Sequence, residues 1–104
     1  MKALLRNGIV IRFEATAGEP NNPLARVILQ IPRRIFSQKD TEKLKSHPDI
    51  VNVQLWEEVR DLIHPDDEIY TVDIKINSLS MRVEDMMRRA ADIIAGSLSV
   101  EKIK

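Results

Sequence analysis

The sequence predicts an α+β domain in which a mainly antiparallel, four-stranded sheet carries two helices on one face. Four segments alternate apolar and polar residues with a period of two, which is typical of strands with one covered face. Two further segments place apolar residues at helical spacing behind residues that favour helix starts. Their order is ββαββα, a two-layer sandwich whose topology is related to the ferredoxin-like arrangement.

The first two strands are expected to form a hairpin. Residues 15–24 are rich in Gly, Pro and Asn and predict its loop. Pro32 ends the second strand, because proline cannot donate to a sheet ladder. The residues that share the covered face are Ile9, Ile11 and Phe13 on the first strand and Ala25, Val27, Leu29 and Ile31 on the second.

The third and fourth strands follow a predicted short helix. Ser37 is its expected N-cap, Asp40 lies in its first turn, and the helix runs to about Ser46 with Leu44 as its main apolar residue. Residues 56–63 fit either a short helix or the end of the third strand, and both assignments stay open. The expected covered faces are Val51, Val53 and Leu55 on the third strand and Tyr70, Val72, Ile74 and Ile76 on the fourth.

A longer helix is predicted near the C-terminus. Ser80 is its expected N-cap, Gly96 its expected stop, and residues 99–104 are expected to fray. Its apolar stripe consists of Val83, Met86, Met87, Ala90, Ile93, Ile94 and Leu98.

Length and composition restrict the class of protein. A chain of 104 residues predicts a single domain over residues 1–104. It has no cysteine, which excludes disulfides and thiolate metal sites and favours a cytoplasmic location. There is no apolar stretch of about 18 residues, so we expect no membrane span. Charged residues make up 31%, above the usual ~25%, which is compatible with a thermophilic source.

Charge is unevenly distributed, although the formal net charge is zero. Residues 1–39 contain seven basic and two acidic residues, whereas residues 40–73 contain three basic and ten acidic ones. If sequence neighbours remain neighbours in space, the molecule has a basic end and an acidic end. Four arginines, Arg12, Arg26, Arg33 and Arg34, could then form one basic patch for the phosphates of RNA or DNA.

Apolar residues are also expected on the open face of the sheet. They are Val10, Ile28, Trp56 and Ile69. Such side chains often mark a surface that another chain covers. The preferred hypothesis is therefore a non-catalytic interaction or assembly module that forms a homodimer, or serves as an accessory subunit, through its open face or a sheet edge. Nucleic-acid binding through the four arginines is the alternative hypothesis.

Catalytic and metal-binding patterns are weak. The three glycines are isolated, and neither histidine has a diagnostic spacing to a serine, so we expect no enzyme and no cofactor. Two His-Pro-Asp triplets, at 47–49 and 64–66, are interpreted as turns. One loop could gather a divalent cation, although a solvated acidic loop is the preferred interpretation. Its residues are Asp61, His64, Asp66, Asp67 and Glu68.

Overall fold

The computed structural model describes residues 1–57 and 66–103. The range 56–63, left open between strand and helix, falls mostly outside these residues. In the described part the 3-10 turn Arg33–Ile35 precedes the first of two α-helices, α1 (Gln38–Ser46) and α2 (Val83–Leu98). The strands are β1 (Lys2–Leu4), β2 (Val10–Glu19), β3 (Asn22–Pro32), β4 (Ile50–Leu55) and β5 (Asp67–Lys75).

The strands form one sheet in the order β1-β2-β3-β5-β4, and every described neighbouring pair is antiparallel. Because β5 lies between β3 and β4, these two strands run parallel and are connected by α1, which makes a split βαβ unit. The predicted α+β class is confirmed, but the described residues form a sheet of five strands instead of four. The additional strand, β1, spans three residues, too few for a recognisable alternation.

The first hairpin is longer than its sequence suggests. Pairing of β2 with β3 continues to Glu19 opposite Asn22, so the turn contains Pro20 and Asn21 and not the whole range 15–24. Gly18 allows this continuation because its φ is +85° and a Cβ there would collide with the carbonyl oxygen of Asn22. Pro32 ends β3, as predicted.

The core lies between the helices and one face of the sheet, where the alternating residues of β2, β3 and β5 are buried. Ile11, Leu29 and Val72 are fully buried and belong to the same cluster as Leu44 of α1 and Ile94 of α2. Since both helices contribute to this cluster, they cover the same face of the sheet. This face provides most of the apolar burial that stabilises the domain.

Helix α1 begins as the sequence predicts. The backbone N–H of Ser37 donates to the carboxylate of Asp40 over 2.9 Å, which is one half of a capping box. This backbone hydrogen bond is the main reason that the pKa of Asp40 lies below its ordinary value; partial desolvation opposes the shift and Lys43 supports it. The bond fixes where α1 starts and therefore where β4 follows.

Strand β4 departs from the predicted alternation at its start. The register shifts between Ile50, opposite Ile74, and Asn52, opposite Asp73, so Val51 is an extra, bulged residue. Ile50 consequently takes the buried position, and Val51 is 46% exposed instead of covered. Beyond the bulge, Val53 and Leu55 pack against the core as predicted.

Helix α2 starts later than predicted. Its N-cap is Arg82 instead of Ser80, and Val83 is 45% exposed and outside the apolar stripe. The helix also continues past Gly96 and ends at Leu98, where Ser99 adopts a left-handed conformation with φ 55°. Its fully or nearly buried residues are Met86, Met87, Ala90, Ala91, Ile94, Ala95 and Leu98.

The segment expected to fray, residues 99–104, is hydrogen-bonded through most of its described part. Arg6 N–H donates to the Glu101 carbonyl over 2.9 Å, and Ile103 N–H donates to the Leu4 carbonyl over 2.8 Å. Residues 101–103 therefore run beside β1 and cover its outer edge. In the described ranges, neither helix is long and apolar enough to cross a membrane.

Candidate interaction surface

The register of the sheet arranges several predicted site residues in rows across the open face. Arg12 lies opposite Ile28 on β3. In the neighbouring row, Arg26 on β3 lies opposite Asp73 on β5, which in turn lies opposite Asn52 on β4. The face therefore mixes charged, polar and apolar groups instead of presenting one chemical type.

The Arg26–Asp73 ion pair occupies the centre of this face. Nε of Arg26 donates to one carboxylate oxygen of Asp73 over 2.8 Å, and its terminal nitrogen donates to the other over 3.1 Å. The Asp73 side chain is only 7% exposed, so the guanidinium compensates a carboxylate with little access to water. Hydrogen bonding and the charge of Asp73 raise the pKa of Arg26 above its ordinary value. This arginine was expected as part of an open basic patch, but it already has a partner.

A second polar chain runs along the same face. Arg12 donates to the side-chain oxygen of Gln30 over 3.1 Å, and the Gln30 amide donates to Asp67 over 2.8 Å. These contacts orient Arg12 towards groups of its own sheet.

The expected separation into a basic and an acidic end does not occur at the end of β3. Pro32 lies opposite Asp67, so the arginines after β3 meet the acidic residues at the start of β5. The backbone N–H of Arg33 donates to the Asp66 carbonyl over 2.8 Å, and Nε of the Arg33 side chain lies 3.6 Å from the Glu68 carboxylate. Opposite charges are therefore adjacent here because antiparallel pairing brings distant segments together.

The four arginines do not form one patch. Arg26 and Arg33 are seven residues apart along β3 and its exit, which corresponds to about 23 Å at the usual rise of a strand. Arg34 is exposed and lies beside Arg33 and Asp66 at a surface depression of about 370 Å³. The structure therefore separates the arginines into two sites, Arg12 with Arg26 on the open face and Arg33 with Arg34 beyond it.

The four apolar interface candidates differ in exposure. Val10 and Ile28 are half-buried, and Trp56 is 37% exposed. Ile69 is 4% exposed and is not available to a partner in this conformation. Trp56 lies at the edge of the face, beside a cleft of about 320 Å³ that also borders Arg26, Asn52 and Gln54.

The acidic candidates for a cation are only partly described. Asp61 and His64 lie outside the described residues, as does most of the second His-Pro-Asp triplet. Asp66 is exposed, Asp67 accepts from Gln30, and Glu68 accepts from the Tyr70 hydroxyl over 2.8 Å. The part of the chain that the structure describes contains no group of three or more potential metal ligands.

The first His-Pro-Asp triplet is a turn between α1 and β4. Nδ1 of His47 accepts from the backbone N–H of Asp49 over 3.0 Å, and the His47 carbonyl accepts from the N–H of Ile50. The Asp49 carboxylate in turn accepts from Arg89 of α2 over 3.1 Å. These contacts fix the starting point of β4 relative to both helices.

The outer edge of β4 is a feature that the sequence patterns did not single out. Of the described residues, none forms a strand beyond β4. Seven consecutive residues, 50–56, carry no charge, in a chain where 31% of residues are charged. This run could have been recognised in the sequence, but its position at an edge depends on the sheet order.

The hydrogen-bonding pattern shows which backbone groups point outwards. Trp56 N–H donates to the Ile69 carbonyl over 2.8 Å, so Trp56 belongs to a hydrogen-bonded pair with β5. Such pairs alternate along an antiparallel ladder, so Asn52 and Gln54 also direct their backbone groups to β5. Val53 and Leu55 therefore direct their N–H and C=O groups towards the outer edge.

A shallow groove of about 240 Å³ follows the start of this edge. It is lined by Lys45 of α1 and by residues 50–53. Glu57, exposed, follows at the other end of the strand. The edge thus has a basic residue near its first half and an acidic residue after its second half.

Comparisons with known proteins provide no relative from which a function could be transferred. Protein-family models, curated protein sequences and solved structures all lack a match to this chain. The surface must therefore be interpreted from its own chemistry.

Proposed function

We propose that this chain is a non-catalytic assembly module that forms a homodimer through the outer edge of β4. The observation that carries the proposal is the uncharged run 50–56 at an edge that no described strand covers. Unpaired N–H and C=O groups at such an edge readily bond to another strand.

Proteins that avoid edge pairing usually place charges, proline or a bulge on the edge strand. Strand β4 has neither a charge nor a proline, and its bulge at Val51 distorts only the beginning of the strand. The remaining stretch, from Asn52 to Trp56, has regular pairing with β5. It can therefore offer a regular ladder to a second strand.

The state of the arginines supports this proposal over nucleic-acid binding. Arg12, Arg26 and Arg33 each contact an acceptor within their own chain, and the four candidate arginines are divided between two places. Phosphate contacts would compete with these bonds. A basic surface without bound acceptors would have favoured the alternative.

Side-chain chemistry also supports a role without catalysis. Within the described ranges, every buried side-chain nitrogen or oxygen has a hydrogen-bond partner. Arg26 and Asp40 have shifted pKa values, and both shifts are explained by bonds that stabilise the fold. Such groups are typical of structural networks as well as of active sites, and here each one has a structural partner.

The direct test is light scattering coupled to size-exclusion chromatography between about 1 and 100 μM, because a dimer dissociates on dilution. We expect a dimer mass at the upper end. The variant Val53→Pro removes an outward N–H without removing a bond to β5, and proline is tolerated at such edge positions. It should be monomeric, whereas the matched control Val53→Ala, which keeps the N–H, should remain dimeric.

A monomer mass for the parent chain at 100 μM would overturn the proposal. If Val53→Pro fails to fold, Gln54→Lys provides the second variant, since it places a charge on an exposed position of the same edge. Salt-sensitive binding of the parent to short RNA, lost in Arg33→Ala/Arg34→Ala while the mass is unchanged, would instead support the nucleic-acid alternative.

A further inference from the structure

The outward groups of β4 restrict how two copies can pair. In an antiparallel pair related by a twofold axis, residues with outward groups must lie opposite one another. Val53 and Leu55 are the outward residues of the regular part of the strand. Three symmetric registers satisfy this condition, with the axis at Val53, at Gln54 or at Leu55.

The three registers differ in the number of regular backbone bonds. With the axis at Val53, Leu55 of one copy would meet the bulged Val51 of the other, where the ladder is irregular. With the axis at Leu55, Val53 would meet Glu57, which lies beyond the strand. With the axis at Gln54, Val53 and Leu55 pair with each other twice, which provides four backbone hydrogen bonds between regular residues.

We infer that two copies of this chain pair β4 with β4 about a twofold axis at Gln54, so that Trp56 of each copy covers the Arg26–Asp73 pair of the other. This inference rests on the proposed dimer and assigns its register and contacts. The result is a continuous ten-stranded sheet across both copies.

The position of Trp56 supports this register. With the axis at Gln54, Trp56 of the second copy lies opposite Asn52, and both side chains are on the open face. Asp73, which bonds to Arg26, is the next residue in the same row beyond Asn52, so it lies two strand spacings, about 10 Å, from the backbone of that Trp56. The indole can therefore fill the cleft beside Arg26 and stack on its guanidinium.

Charge complementarity is the second argument. In this register, Glu57 of the second copy follows the paired residues and comes near Val51, at the groove that Lys45 lines. The twofold axis repeats the contact, so the dimer contains two facing Lys45 and Glu57 pairs. Both groups are exposed in the single chain.

Cysteine cross-linking tests the register without background, because the chain has no cysteine. In Gln54→Cys the two thiols lie opposite each other in a non-hydrogen-bonded pair, with Cα atoms about 4.5 Å apart, within the range of a disulfide. Mild oxidation should cross-link most of this variant at 100 μM. The matched control Asn52→Cys places its thiols about 13 Å apart along the strands and should remain mostly uncross-linked.

The outcomes distinguish the register from the dimer itself. Efficient cross-linking of Val53→Cys with little in Gln54→Cys would place the axis at Val53 and overturn the inference while leaving the dimer. A dimer by light scattering without cross-linking in any β4 variant would overturn the inference and move the interface elsewhere. A monomer throughout would overturn both the inference and the proposed function.

Two further measurements test the contacts. Trp56 is the single tryptophan, so its emission should shift to shorter wavelength as the dimer forms, and an unchanged spectrum would contradict its burial. Lys45→Glu and Glu57→Lys should each raise the dissociation constant about tenfold, because each places two like-charged pairs across the interface. The double variant should restore affinity, and a further loss in it would overturn the pairing.

Discussion

The two edges of the sheet are treated differently by the chain. At β1, residues 101–103 lie alongside the strand, and Ile103 N–H donates to the Leu4 carbonyl. At β4, no described segment takes the corresponding place, although β4 is twice as long as β1. The chain therefore covers the β1 edge with one of its own segments. At the β4 edge no described segment does so, and the uncharged sequence of β4 is typical of a strand that pairs with another. This difference is the basis of our proposal that β4 pairs with a second copy of the chain.

The helices beneath the two edges also differ, in the number of residues that they bury. Helix α2 packs against β1, β2 and β3 with seven buried residues. Helix α1, which packs beside β4, buries Leu44 and has no second buried residue. The β1 side is therefore expected to supply most of the stability of the single chain, whereas the β4 side is expected to gain stability from the second copy that we propose.

The largest expected effect comes from a substitution that disrupts the packing of α2 on the β1 side of the sheet. Ile94 is fully buried, and Ile94→Asp would both lose its packing and bury an unpaired carboxylate, at a cost of about 4 to 5 kcal/mol. That is most of the unfolding free energy of a domain at the lower end of the usual range of about 5 to 15 kcal/mol. Circular dichroism during urea titration measures it.

The matched control for Ile94→Asp is Val83→Asp, which is on the same helix but exposed. Its aspartate would lie near the positive end of the helix dipole, so we expect a change within about 0.5 kcal/mol. If Ile94→Asp unfolds at the same urea concentration as the parent, α2 is not docked on the sheet as described.

The second prediction opens the closed edge. A chain that ends at Val100 loses the backbone hydrogen bond that Arg6 N–H donates to the Glu101 carbonyl and the one that Ile103 N–H donates to the Leu4 carbonyl. At about 1 kcal/mol for each backbone hydrogen bond, with some loss of packing, we expect about 2 to 3 kcal/mol. The uncovered β1 edge should also make the shortened chain aggregate through strand addition.

Lys102→Ala provides the control for this truncation, because it removes the ion pair with Asp92 but keeps the backbone bonds. It should cost less than about 1 kcal/mol, as surface pairs usually do. Equal stability of the shortened and full chains would mean that the C-terminal segment does not close the edge.

Local patterns predicted the elements more successfully than their environment. The alternation of β2, β3 and β5 and the capping pattern at Ser37 are properties of adjacent residues, and the structure confirms them. The bulge at Val51 could not be foreseen, because it depends on how β4 aligns with β5. The covering of β1 by residues 101–103 depends on two ends of the chain meeting.

The candidate site shows the same limit. Sequence analysis placed Trp56 on the open face and Arg26 in a basic patch, but the pairing of Arg26 with Asp73 requires the antiparallel alignment of β3 and β5. Ile69 was expected to be exposed because side chains alternate between the two faces of a strand and its position falls on the open face. The folded structure buries it. This alternation predicts the face on which a side chain lies, whereas the burial of that side chain depends on everything that packs on the face.

The third prediction weakens the part of the open face next to β4. Arg26→Ala leaves the nearly buried Asp73 carboxylate without its guanidinium partner. Because Arg26 itself is partly exposed and water can replace some of the interaction, we expect about 1 to 2 kcal/mol of destabilisation. The double variant Arg26→Ala/Asp73→Asn should recover part of the loss, since no charge is then left buried.

The Arg26→Ala variant also tests the comparison between the two edges. If the second copy covers Asp73, the stability difference between Arg26→Ala and the parent should grow with protein concentration, because water no longer reaches the carboxylate in the dimer. A concentration-independent difference would indicate that the β4 side is complete in the single chain.

The smallest effect concerns the start of α1, the helix that positions β4. The folded pKa of Asp40 is lowered from its ordinary value of 3.8 by the Ser37 hydrogen bond, partial desolvation opposing. The ionised carboxylate therefore stabilises the fold above pH 3.8, and this contribution is lost as the pH falls through the lower, folded pKa. Asp40→Asn should cost about 0.5 to 1 kcal/mol at pH 7, as the loss of a capping interaction usually does.

The difference in unfolding free energy between Asp40→Asn and the parent should shrink below about pH 4. The parent carboxylate is then increasingly protonated and loses the same interaction. Glu42→Gln is a suitable control, since Glu42 is an exposed acid on the same helix. It should change stability little at either pH. Urea titrations at pH 7 and at about pH 3 measure both variants, and a pH-independent cost of Asp40→Asn would show that its charge does not hold the start of α1.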